Sequence, residues 1–149
     1  VSKPANLTTA LRTLILRDSA IAERIDERLF PDVVPQFQPL PAIVYHELTS
    51  RRDRTLDGPS SLRRSRVQFD CLSTHRTESG WLAREVTRLL DGLSGLYPET
   101  GEAGTRHIDI ESCSLDNAYD QDDPPQRGNN NPTRRVTIDF VLAYQHLAI

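Results

Sequence analysis

Residues that could do chemistry are few in this chain, and their spacing does not bring them together. The four histidines are His46, His75, His107 and His146. None lies at the short helical spacing that lets two imidazoles share a metal, and no C-x-x-C pair accompanies them. The two cysteines, Cys71 and Cys113, each fall within a run of alternating polarity that predicts a strand. A thiolate there would lack a helix N-terminus to stabilise it, so both are read as buried, inert thiols. No G-x-S-x-G elbow and no glycine-rich phosphate loop is present. Asp70, Asp109, Glu111 and Asp139 lie on predicted strands, but on their polar faces, where a solvated or subunit-facing surface is the simpler role. No catalytic residue, cofactor or metal is therefore assigned, and the chain is expected not to be an enzyme.

The charged residues are more informative. Arg51, Arg52, Arg54, Arg63, Arg64 and Arg66 cluster around Asp57, while Asp116, Asp120, Asp122 and Asp123 cluster later in the chain. On charge alone, two solvated loops account for this. Oppositely charged patches on one small subunit also suit head-to-tail self-association. A formal net charge of −3 argues against general affinity for the DNA backbone. The arginine stretch has no interleaved aromatics to stack on bases, so a protein interface is favoured over nucleic acid.

The elements that must carry these groups follow from periodicity. With 149 residues, 37% hydrophobic and 26% charged, the composition is that of one globular domain spanning 1–149. The apolar runs are far too short to span a membrane. The Val1–Ala5 stretch has no apolar signal-peptide core, so synthesis in the cytosol is expected, which disfavours a disulfide. Leu7, Ala10, Leu11, Leu14 and Ile15 form one stripe of a helix over 6–17, with Asn6 as its cap. A short helix over 20–25, capped by Ser19, and an extended piece at Leu29-Phe30 follow. Four prolines make 31–41 an irregular connector.

Residues 42–48 read as a strand. The polar stretch 51–66 around Asp57-Gly58-Pro59 predicts a turn, hence a long arm-like β-hairpin returning to Leu72. On the return strand Val67, Phe69 and Cys71 face one side, and Arg66, Gln68 and Asp70 the other. A helix over 75–91, with Thr74 as a cap, buries Leu82, Val86, Leu89, Leu90 and Leu93, with Trp81 at its flank. Gly92 suits the position just past its end. A loop at 95–104, a strand from 106 to about 115 and a long polar loop over 116–132 come next. The last strand alternates through Val136, Ile138, Phe140, Leu142 and Tyr144. The predicted fold is thus α+β, with helices on one face of a mostly antiparallel four-stranded sheet and a long β-hairpin arm.

In that order and spacing, several stretches resemble the phage tail-completion, or tail-terminator, family of long non-contractile tails, prophages and gene-transfer particles. They are Leu11 to Leu14, Asp18 to Ile21, Arg28 to Pro31, Pro41 to Tyr45, Leu56 to Cys71 and the helix around Trp81 to Asp91. The long acidic loop departs from the pattern. The resemblance implies a structural virion protein. It would form a hexameric ring at the head-proximal end of the tail tube, end tube growth and dock the head connector or stopper protein. DNA would pass through without specific binding, and no membrane or cofactor would be involved. In such a ring Arg51, Arg52, Arg54, Asp57, Arg63, Arg64 and Arg66 are candidates for the subunit or tail-tube interface. Asp120, Asp122 and Asp123 are candidates for a channel- or connector-facing loop. Three rival readings are a head-closure or other minor joining protein, a small enzyme with a site assembled across strands, and a nucleic-acid-binding module. A pocket of clustered titratable groups would favour the second, and salt-dependent DNA binding the third.

Overall fold

The computed structural model describes residues 7–56, 58–98, 106–124 and 132–148, with the backbone alone at 53–55, 58–61, 106, 147 and 148. In chain order the elements are α1 (Leu7–Leu16), α2 (Ser19–Ile25), β1 (Leu29–Pro31), β2 (Ala42–Thr55), β3 (Gly58–Ser73), α3 (Arg76–Leu90), β4 (Gly95–Pro98), β5 (Arg106–Asp123) and β6 (Thr133–Ala148).

The six strands form one strongly curled mixed sheet in the order β1-β2-β3-β6-β5-β4. The predicted antiparallel four are its centre. Two edge strands correct the expectation. Leu29–Pro31 pairs parallel to Ile43–Tyr45, because the proline-rich connector carries the chain back to the same end before β2 starts. Gly95–Pro98, read as loop, pairs with His107–Ile110.

The larger correction is in β5. Residues 116–123 are not loop: the strand continues to Asp123, paired with β6 as far as Asp123↔Thr133. Residues 116–122 are all exposed. With little apolar burial on either face, the period-2 signal fades while the backbone ladder persists. Of the expected loop, 125–131 lie outside the described residues.

Alternation sorts the sheet into two faces. Ile43, Val67, Phe69, Cys71, Ile108, Ile110, Cys113, Ile138, Phe140 and Leu142 form the helix-facing core with Leu11, Ile15, Ile21, Ile25, Leu82, Val86 and Leu90. Phe69 and Phe140 meet edge-on at its centre, with ring centroids 5.9 Å apart.

The helix ends are set locally. Asp18, rather than Ser19, caps α2: its carboxylate accepts the Ile21 N–H at 3.2 Å. Asn6 lies outside the described residues. At α3 the cap position is His75, not Thr74, and its side chain makes no cap bond. Ser73 serves this helix start instead: its hydroxyl accepts the His75 N–H at 3.1 Å and donates to Glu78 at 2.7 Å. Gly92 follows the end of α3 with φ +84°, the left-handed conformation expected there.

Candidate assembly interface

The arginine cluster sits on the β2–β3 hairpin. Pairing runs out to Thr55↔Gly58, whereas β6 accompanies β3 only as far as Arg63↔Tyr144. Beyond that rung the hairpin is a two-stranded ribbon, the arm expected from the sequence. Asp57 lies outside the described residues, and of Arg54 only the backbone is described. At the root, Arg51 stands directly opposite Arg64, and Arg52 opposite Arg63. Opposed residues share a face, so each face of the ribbon carries an arginine pair. Arg66 is nearer the sheet centre and is bound within the subunit, to Asp116 at 2.8 Å and Asp139 at 3.7 Å.

The acidic residues are also drawn into ion pairs. Arg76, at the start of α3, holds Asp120 at 3.1 Å and Asp122 at 2.7 Å. Arg134 also reaches Asp122, and Arg135 holds Asp123 at 2.7 Å. These carboxylates therefore project from a strand, each with at least one arginine beside it, rather than from an open loop.

A polar cluster not singled out from the sequence occupies the face of the sheet away from the helices. Asp70 is buried there at 3% exposure. It accepts the Thr137 hydroxyl at 2.7 Å and Gln68 at 3.2 Å, and it faces Arg135 at 3.3 Å and His46 at 3.4 Å. His46 also lies 3.4 Å from Asp32 of the connector. A cavity of about 650 Å³ is lined here by the connector residues Val33 to Phe37 together with Val44, Asp70, Leu72 and Arg135. Asp70 was legible as a polar-face residue. Its burial was not, because the covering connector has no period. A second groove, of about 620 Å³ and mainly apolar, lies between α3 and the β5–β6 pair. Ala83, Leu115, Ala118, Val136 and Ile138 line it, with Arg76 and Asp120.

These groups have little to offer catalysis. Burial pushes the Cys71 thiol far above its ordinary range and the Cys113 thiol up to about 12, so neither supplies a thiolate. Among the described residues no group of three His, Cys, Asp or Glu side chains is placed to hold a metal. No helix among them is long and apolar enough to cross a membrane. Burial raises the Asp139 carboxyl; Arg66 opposes this, and Asp116 and Asp70 add to it.

Comparison with known proteins first fixes the class of fold. A chain in the structure of the virion of a native gene transfer agent particle superposes with a TM-score of 0.65, covering 93% of this chain and 94% of that one. At 12% identity the likeness is one of fold alone. No individually curated protein matches the chain in sequence. The profile of the tail completion protein gp17 family, however, matches residues 9–140, and the chain belongs to that family. It is accordingly a structural virion protein of phage tail completion, not an enzyme.

Proposed function

We propose that the chain forms a ring, a hexamer by family resemblance, that caps the tail tube, ends its growth and presents the surface to which the head connector or stopper docks. The family match over 9–140 carries this reading. Identical subunits close a ring through heterologous contacts, which need two different surfaces on each copy. The β2–β3 hairpin supplies one, reaching a neighbour or the tube: Arg51, Arg52, Arg63 and Arg64 stand at the root of the arm, Arg54 and Asp57 lie further along the chain towards its turn, and Arg66 stands nearer the sheet centre. The acidic end of β5, with Asp120, Asp122 and Asp123, supplies a surface towards the channel or the connector. By the same family resemblance, DNA passes such a ring without specific binding.

The test is electron microscopy of particles made with this gene interrupted. Filled heads beside unattached tails of uncontrolled length are expected. Normal, joined particles would overturn the reading.

A further inference from the structure

We infer that one copy docks on the next by strand addition: the outer edge of β2, over 46–55, pairs antiparallel with the outer edge of β5, over 116–123, of a second copy of this chain. The inference rests on the ring reading and names the partner of the arm.

The first observation is that the sheet is unfinished at both ends. Among the described residues, β1 covers the edge of β2 only at Ile43, Val44 and Tyr45. On the other side β4 covers β5 only from His107 to Ile110. The α3–β4 connection takes two more groups of β5: Gly92 N–H donates to the Cys113 carbonyl at 2.8 Å, and the Leu115 N–H donates to Asp91 at 3.0 Å. Past that point no described strand pairs with 116–123. Residues 47–52 on β2 are all exposed, as are 116–122 on β5. Long uncovered edges template pairing with another chain.

The second observation is their relative placement. One rung of the sheet runs Arg51↔Arg64↔Ala143↔Ser112. The open part of β2 centres near this rung, while the open part of β5 centres near Tyr119, ~20–23 Å further along the strand. The four strands from β2 to β5, with the gap to the next copy, give a repeat of ~19 Å across. Bringing the two open edges of adjacent copies to one level requires the strands to tilt by roughly 45–50°, at or a little above the ~35–45° typical of closed barrels. Because β2 and β5 run in opposite directions within the sheet, copies in the same orientation present them antiparallel.

The third observation is charge. Residues 46–66 carry six arginines against three acids, whereas 113–123 carry four aspartates and no basic residue. Two β2 edges, or two β5 edges, would oppose like charges, which disfavours a two-fold dimer. The mixed pairing is the one that is satisfied. Each carboxylate bound to Arg76, Arg134 or Arg135 has a second oxygen to offer an arginine of the arm. The acidic end of β5 thus meets the neighbour's arm before anything in the channel. The added strand would also wall the apolar groove beside Leu115 and Ala118, and would cover Leu48 and Tyr119, exposed at 47% and 42% on the two edges.

Disulfide trapping in assembled particles tests this. Arg51 shares a face with Asn117, Tyr119 and Gln121, by the registers through Arg64, Ala143 and Asp139. R51C is combined in turn with N117C, Y119C and Q121C, which allows for register. Cα atoms across an antiparallel pair fall within disulfide reach, and the native thiols are buried. At least one double variant should give a reducible ladder of covalent multimers, absent from every single variant. Independently, amides of 46–55 and 116–123 in the unaltered protein should exchange at least roughly 100-fold more slowly in the ring than in the free subunit. Absence of a ladder, or unchanged exchange at both edges, in normal tails that carry the protein overturns strand addition and leaves the ring reading standing. Absence of the protein from tails removes both.

Discussion

Arg51 and Arg64 face one another directly across the β2–β3 ribbon, and Arg52 faces Arg63 on the adjoining rung. Opposed like charges weaken a strand pair by a few tenths to about 1 kcal/mol where nothing offsets them, and a neighbour's carboxylates at these rungs would add such an offset. The double reversal R63E/R64E should leave the monomer folded, because each glutamate then faces an arginine on β2, and yet abolish tail joining. Circular dichroism on heating checks the first outcome and electron microscopy of particles the second. Wild-type assembly by the double variant would show that the arm's charge has no role.

How much of this could be read from the sequence depended on burial. Val67, Phe69 and Cys71, or Val136 to Tyr144, alternate because one face packs under helices, and those strands were legible. Asp116 to Asp123 read as loop in the sequence because a strand exposed on both faces has no apolar period to show; only its ladder with 133–139 defines it. Leu29–Pro31 and Gly95–Pro98 are too short to carry a period. Polarity and the turn point to an arm for the arginine cluster; Arg51, Arg52, Arg63 and Arg64 stand at the root of that arm, and Arg66 lies nearer the sheet centre. The pairing of Arg66 with Asp116 or of Arg76 with Asp122 joins residues distant in sequence, and depends on register that no local pattern encodes.

Asp70 ties three strands together on the face away from the helices. Replacing it by alanine would leave Thr137, Gln68 and Arg135 without their shared acceptor in a largely buried setting. The expected loss is about 2–4 kcal/mol, read as a lowered denaturant midpoint at unchanged slope. D70N, which keeps an acceptor oxygen, should lose less. A shift below about 1 kcal/mol for the alanine variant would mean that water replaces the carboxylate without cost.

Asp18 joins two helices, capping α2 through Ile21 and reaching Arg88 of α3 at 2.7 Å. The hydrogen bond from Arg88, ahead of the opposing burial, holds its carboxyl below the usual value. A carboxyl lowered on folding adds stability above its unfolded pKa of about 3.9 that is lost as pH falls through the folded value. D18A should therefore cost about 1 kcal/mol at neutral pH, the ordinary worth of a cap. The difference from wild type should shrink steadily below about pH 4. Denaturation of both proteins across that range checks it; a pH-independent difference would show that neither the Arg88 bond nor the cap depends on the ionised carboxylate.

Asp139 carries the opposite sign. It is 8% exposed, one of its carboxylate oxygens finds no hydrogen-bond partner, and burial raises its pKa against the pull of Arg66. A carboxyl raised on folding costs stability at neutral pH and returns it as pH falls from above the folded value towards the unfolded one. D139N, which removes the buried charge and nearly preserves the shape, should be as stable as wild type or more so at pH 7, by up to about 1 kcal/mol. That advantage should vanish near pH 4. Loss of stability at pH 7 on this substitution would show instead that the Arg66 contact outweighs desolvation. In that case Arg66, Asp116 and Asp139 would be a stabilising triad of the subunit rather than a polar surface held at a cost.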